Sequence, residues 1–221
     1  MIIAIDGPAG AGKSTVARRL AEELGFQLID TGAMFRTVAF ESERAGLDLY
    51  DEQAVAALAR RLCFEFRWEA GDNVVYCNGV AMQQEIRSAE VSRNASIISA
   101  LPAVRQVLLE QQREVGRERS SVLEGRDIGT VIFPDAELKA FITASPEVRA
   151  ERRVEQMCEQ GLEASYDDVL QEILDRDRRD SEREVAPLRR ADDAIALDST
   201  EVEVEEIVQL LLAAVHALAI P

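Results

Sequence analysis

Lysine is almost absent from this chain: Lys13 and Lys139 are the two lysines among 25 basic residues, and arginine supplies the rest. Positive charge as a whole is short, because 41 Asp and Glu leave a net charge of −16. Such a surface repels nucleic acid and anionic membranes, so neither is expected as a partner. A small nucleotide held in an arginine-lined cleft stays compatible with it, since guanidinium forks suit phosphate. Cysteine is also scarce. Cys63, Cys77 and Cys158 lack CxxC spacing, which excludes a disulfide framework and a zinc site and points to structural thiols in a reducing compartment. No apolar stretch approaches the roughly 18 residues of a membrane span, and the chain opens on a strand pattern without a basic leader or cleavage site. A cytoplasmic protein is expected. The one histidine, His216, falls on a terminal helical pattern far from every motif, and internal repeats and low-complexity tracts are missing. What remains is a chain of 221 residues, 47% hydrophobic, enough for a single domain over 1–221 carrying one or two insertions.

The most informative stretch is Gly7-Pro8-Ala9-Gly10-Ala11-Gly12-Lys13-Ser14, followed by Thr15. It comes after the apolar run Ile2 to Ile5 and before a helical pattern at Val16, Leu20 and Leu24, the setting that the phosphate-binding pattern GxxxxGKS/T requires. Glycines let the backbone turn its N–H groups onto a phosphate, and the helix that begins near Lys13 adds the positive end of its dipole. Lys13 then reaches the β- and γ-phosphates, and Ser14 offers its hydroxyl to Mg²⁺. An ordinary glycine-rich turn needs neither residue at those offsets.

Downstream, Phe26 to Ile29 reads as a second strand ending in Asp30-Thr31-Gly32-Ala33-Met34-Phe35-Arg36, where another helix begins. Strand, loop, helix, strand, loop, helix is the opening of a parallel α/β sheet flanked by helices, and ligands of such sheets lie beyond the carboxyl ends of the strands. The pattern changes after a helix that starts at Asp51 and turns Val55, Leu58 and Leu62 inward. Cys63 to Trp68 alternates like a strand, and Val74 to Cys77 joins Val80 to Met82 through Asn78-Gly79, so residues 63–84 form a small antiparallel insert. Two helices follow, 86–99 and 102–118, presenting Ser96 and Arg105. Strand Ser121 to Leu123 then leads to Glu124-Gly125-Arg126-Asp127 at another carboxyl end.

After strand Leu138 to Thr143, a helix capped by Ser145 carries Arg149, Arg152 and Arg153, which the spacings of three and four put on one face. The next helix, from Ser165, turns Leu170, Ile173 and Leu174 inward and ends in the charged run 175–183, which by composition is a solvated face. The chain closes with strand Ala194 to Leu197 and a helix expected from Thr200, with Glu203 completing a capping box.

Taken together, IDGPAGAGKST, DTGAMFR, GRDIGT, RDRRD followed by Arg183 and VAPL, and LDST resemble the motifs of the bacterial cytidylate kinases, a family of nucleoside monophosphate kinases. They occur in the family's order over essentially the whole chain. The resemblance implies a P-loop kinase core, an insert near 63–84 on the monophosphate side and an arginine-bearing helical lid near 149–165. It implies transfer of the γ-phosphoryl group of ATP, with Mg²⁺, to CMP and dCMP by a monomer. Thr31, Arg36, Ser96, Arg105, Arg126, Asp127, Arg176, Asp180 and Arg183 take CMP-binding roles: Arg36 and Arg126 go with the phosphate, Arg176 and Asp180 with the ribose, Arg105 and Asp127 with the base. Lys13, Arg36, Arg126, Arg149 and Arg153 are the catalytic cations. Phe35 departs from the family's usual Tyr at that place.

A phosphate acceptor needs no general base, because it is already largely dianionic at neutral pH with a second pKa of roughly 6. Two other classes use the same loop. A regulatory GTPase carries Asn-Lys-x-Asp, which neither lysine here permits. A kinase of a neutral hydroxyl, such as a nucleoside kinase, needs a carboxylate base, for which Glu124 or Asp127 is available.

Overall fold

The computed structural model describes residues 1–69, 71–159 and 161–218; Ala70 of the insert and Gln160 of the segment expected to be a lid lie outside them. A five-stranded parallel sheet forms the centre, from β1 (Ile2–Asp6), β2 (Gln27–Asp30), β6 (Ser121–Gly125), β7 (Leu138–Thr143) and β8 (Ile195–Asp198), in the order β2-β6-β1-β7-β8. Alternation along β1 explains the layering. Ile3 and Ile5 face one side, where α1 (Lys13–Leu24) supplies Val16 and Leu20 and α8 (Val204–Leu218) supplies Ile207, Val208 and Leu211. Ala4 faces the other side, into a cluster with Met34 and Val38 of α2 (Thr31–Arg44) and with Val104 and Leu108 of α5 (Pro102–Arg117). Each fully buried Ile or Leu of this kind contributes about 1.5–3 kcal/mol, so the two faces are strongly specified.

The insert is the three-stranded antiparallel sheet β3 (Phe64–Glu69), β4 (Asp72–Cys77) and β5 (Val80–Met82). Its hairpin turns at Asn78 and Gly79 with φ of 50° and 79°, the left-handed pair that an Asn-Gly turn is chosen to adopt. Phe64, Phe66, Val75, Cys77 and Met82 join the same core cluster as α2, α5 and α3 (Glu52–Ala59), so the insert packs as an extension of the main core. The helical pair after β7 differs. In α6 (Pro146–Glu159) and α7 (Tyr166–Glu182), Ala150, Val169 and Ile173 form a small apolar cluster of their own.

Four local expectations change. The helix read from 86 starts at Ala89 as α4 (Ala89–Ile98), because Ser88 caps it by accepting from the Val91 N–H at 3.1 Å and residues 84–86 make a separate 3-10 turn. The last helix starts at Val204, since the Thr200 hydroxyl is taken by Asp198 and by the Ser145 N–H. Val169 and Ile173 form the buried face of α7 while Leu174 is exposed. The charged run 175–183 is solvated only in part: Arg178, Arg179, Ser181 and Glu182 are exposed, whereas Asp180 is buried and Arg176 half-buried.

Candidate active site

The loop between β1 and α1 lies at the carboxyl end of the central strand, where the sheet order places β6 and β7 on either side. Its first residue must be glycine: at Gly7, φ is 148° and a Cβ would stand 1.9 Å from the Ile142 carbonyl oxygen. The loop ends in Gly12, left-handed at φ 81°, which hands its backbone to α1. Lys13 is buried and donates Nζ to the Pro8 carbonyl at 2.6 Å. Burial, then the neighbouring Arg126, push its ammonium down to about 7. Ser14, exposed one residue on, donates its hydroxyl to Glu124 Oε2 at 2.7 Å.

Glu124, next to last in β6, is paired in register with Asp30 at the end of the adjacent β2, and the hydroxyl of Thr31, the next residue, donates to the Glu124 carbonyl at 2.7 Å. Burial, then the charge of Asp30, raise the Glu124 carboxyl to about 7. Asp30 stays below its ordinary value: burial pushes it up, but Arg36, bound at 2.7 Å, and the Ala33 N–H that it caps outweigh that push.

Beyond β6 the chain turns sharply and Arg126 reaches α7, donating Nε to Asp180 Oδ2 at 3.0 Å. Arg176, one turn before Asp180, leaves its buried Nε–H without a partner among the described residues. Burial and the adjacent Arg126 lower its guanidinium to about 10. Lys13, Arg36, Arg126 and Arg176 thus form one cluster of positive charge, each within electrostatic reach of another. Like charges held this close in a buried setting call for an anion.

The other half of the site surrounds Asp127. Arg105, from α5, donates Nη2 to its Oδ2, and Arg183 donates Nη2 to Oδ1 at 3.5 Å. Arg105 also holds the Ser99 carbonyl at 3.1 Å, and its guanidinium lies 5.5 Å from the centre of the Phe35 ring, so Phe35 packs on this arginine without any hydroxyl. Arg183, lowered to about 10 by burial and then by Arg105, anchors in turn to the carbonyl of Ala186, a non-glycine at φ 52°. Ser96 of α4 is buried and accepts from Arg179 Nε at 3.3 Å.

Two expected cations are placed differently. Arg149 is buried, with donors to Ala144 O, to Ala9 O of the phosphate loop and twice to Asp177. Arg153 is half-buried and bonds Gln156 of its own helix. It stands apart from the cluster just described. Arg152 binds Ser199, whose hydroxyl donates to the Ala11 carbonyl, so the LDST segment braces the phosphate loop. Asp177, Arg179 and Ser199 fall within the RDRRD and LDST motifs, but the sequence assigned none of them a role in the site. For the first two a signal existed, since Arg176, Asp180 and Arg183 are spaced four and three apart within a run read as solvated.

A parallel sheet of this order, a glycine-rich loop ending in Lys13 and Ser14, and a facing cluster of guanidiniums define a P-loop kinase. The family model for cytidylate kinase matches residues 3–217. The chain belongs to the cytidylate kinase family. It is 47% identical over 216 residues to the cytidylate kinase of Pelotomaculum thermopropionicum, covering 97% of this chain and 96% of that protein. With the cytidylate kinase of Clostridioides difficile it shares 40% over 216 residues, 98% of each. Among solved structures, a gluconokinase from Sinorhizobium meliloti shares the fold at a TM-score of 0.50 and 18% identity, covering 98% of this chain and 92% of that one.

Proposed function

We infer that this chain transfers the γ-phosphoryl group of ATP to CMP, and to dCMP. The observation that carries the reading is the meeting of two unlike halves: the cation cluster at Lys13, Arg36, Arg126 and Arg176, beside a carboxylate held between two guanidiniums at Asp127. The first half suits two phosphate groups brought together; the second suits a base that offers a donor next to acceptors. Cytosine presents that pattern, with its 4-amino group beside N3 and O2.

The reaction needs little acid–base chemistry. An oxygen of the CMP phosphate attacks the γ-phosphorus, the bond to the β,γ-bridging oxygen breaks, and ADP leaves with that electron pair. Charge moves toward the leaving oxygen, so catalysis rests on positioning and on fixed cations. Lys13 and the loop N–H groups hold the donor phosphates, Arg36 and Arg126 the acceptor, and Arg176 with Asp180 the ribose side. Asp127, bound at both oxygens by Arg105 and Arg183, is ill suited to take a proton from a hydroxyl acceptor. Glu124 faces Ser14, on the donor side. Both observations favour phosphate over hydroxyl as the acceptor.

ATP-dependent kinases of this class work with Mg²⁺. The Ser14 hydroxyl and the Glu124 carboxylate, with Asp30 behind them, form an all-oxygen set that fits this hard cation, and Ser14 and Glu124 would hold it with its waters. When bound, the ion would supply charge neutralisation to the donor phosphates.

An ADP-release assay across CMP, dCMP, UMP, AMP and cytidine tests the reading: CMP and dCMP are expected as acceptors, and turnover of cytidine in preference to CMP sinks it. Asp127→Asn refines the test. Its amide can donate where the carboxylate only accepts, so the CMP:UMP ratio of kcat/KM should narrow by about 5- to 100-fold, the equivalent of ~1–3 kcal/mol for one good base contact. A ratio within about twofold of the parent removes Asp127 from base recognition.

The two lid arginines should separate. Arg149→Ala leaves Asp177 unpaired and frees the Ala9 carbonyl, so it should lower thermal stability by about 1–3 kcal/mol as well as kcat. Arg153→Ala should leave the melting temperature unchanged, because among the described residues its side chain bonds Gln156 of its own helix. If Arg153 meets the phosphates when the lid closes, its loss lowers kcat far more than it raises the KM for CMP; equal, mild effects on both assign it to the surface.

A further inference from the structure

Asp6 has no part in the chemistry above, yet it is a carboxylate only 4% exposed at the end of the central strand. Its two oxygens are both committed. Oδ1 accepts from the Ile128 N–H at 2.8 Å and Oδ2 from the Gly129 N–H at 2.8 Å. These N–H groups belong to the first two residues of a single π-helical turn (Ile128–Ile132), whose opening residues have no intrahelical acceptor. Asp6 therefore caps that turn from another strand, 122 and 123 residues away in sequence. The residue that enters the turn is Asp127, whose carbonyl accepts from the N–H groups of Val131 and Ile132 at 2.9 and 3.1 Å. Directly after Asp6 begins the phosphate loop at Gly7.

We propose that Asp6 is a positioning residue that sets the base-reading carboxylate of Asp127 against the phosphate loop. The inference rests on the assignment of Asp127 to the base. The two nucleotide subsites lie on different segments, and this carboxylate is bonded to one while leading directly into the other. The phosphate loop has independent anchors: β1 is paired on both edges, Asp6 with Gly125 and with Phe141, and Ser199 and Arg149 hold Ala11 and Ala9. The segment 127–129 receives the Asp6 bonds at Ile128 and Gly129, directly after Asp127. Weakening those bonds should loosen recognition of the monophosphate's base and leave the ATP side in place.

The test is Asp6→Asn, an isosteric change in which the amide NH₂ confronts one N–H and one of the two bonds is lost. The expected result is a CMP:UMP ratio of kcat/KM that narrows by about fivefold or more, a KM for CMP raised by a similar factor, and a KM for ATP within about threefold of the parent. A loss of stability alone lowers the amount of folded enzyme without moving the ratio between substrates. A ratio within about twofold of the parent in a protein that still folds overturns the proposal. If Asp6→Asn does not fold, Gly129→Ala presses on the same turn. Its Cβ would stand 3.1 Å from Lys139 Cδ and 3.5 Å from Asp6 Oδ2, and it should narrow the ratio likewise; an unchanged ratio again overturns the proposal. Asp127→Asn measured in parallel separates the two claims. If it leaves the ratio unchanged the assignment of the base fails, whereas if it changes the ratio and the Asp6 and Gly129 variants do not, only the positioning role fails.

Discussion

Lys13→Ala is expected to retain the circular dichroism spectrum of the parent and lose at least about 100-fold in kcat, the typical worth of one preorganised charge contact in a dry site. Lys13 is buried at the start of α1, with its ammonium on the Pro8 carbonyl of the loop that wraps the donor phosphates. Burial, and then Arg126, push its ammonium down to about 7, and phosphate oxygens that approach it act in the opposite sense. Charge that grows on the β,γ-bridging oxygen during transfer is what it meets. The fold does not depend on it, since the helix is anchored by Val16, Ala17 and Leu20 in the core. Turnover and spectrum are measured on the same preparation, and more than about a tenth of kcat remaining removes Lys13 from the reacting phosphates.

Arg126→Ala should be nearly as damaging, by about 100-fold in kcat, because one side chain serves two elements. Its Nε is bound to Asp180 of α7 at 3.0 Å, and its charge reaches Lys13 at the start of α1. Asp180 stays below its ordinary pKa although burial raises it, because Arg126, Arg176 and Arg183 together outweigh the burial. With two of the three remaining, the carboxylate keeps a counter-charge, and the cost in stability should stay near 1 kcal/mol, well under that of orphaning a buried charge. Arg126→Lys keeps a charge but not the planar fork, so it should recover only part of the rate. Kinetics and thermal melts decide the matter: a large fall in melting temperature with kcat almost intact makes Arg126 a strut for α7.

Much of the donor side was readable from adjacent residues. The strand at Ile2, the glycines, Lys13, Ser14 and the first helix form one continuous unit whose conformation follows from short-range rules, and the structure matches it residue by residue. The Asn78-Gly79 hairpin is legible for the same reason: its left-handed pair is a local steric demand. The ends of α4 and α8 were not. Ser88 and Thr200 are both ordinary capping residues, and only Thr200 is diverted, by Asp198 and the Ser145 N–H across the sheet.

The acceptor side depended on the resemblance to a family, because composition read 175–183 as a charged surface. Burial by the surrounding elements turned part of that run inward, bringing Asp180 to Arg126 over 54 residues, Asp177 to Arg149 over 28 and Arg179 to Ser96 over 83. The sequence alone determined what was dictated by neighbours along the chain: the parallel α/β pattern, the phosphate loop and its chemistry, the insert, and the excess of arginine available for anions. Tertiary structure decided which of 25 basic residues gather in one cluster, that Arg149 braces the loop while Arg153 stays outside, and that Asp6 caps the turn carrying Asp127. The physical reason is that a guanidinium or a carboxylate has no intrinsic direction in sequence. It becomes a ligand or a strut when a buried partner of opposite charge, or an unsatisfied N–H, is brought within hydrogen-bond reach by the packing of the sheet and its helices.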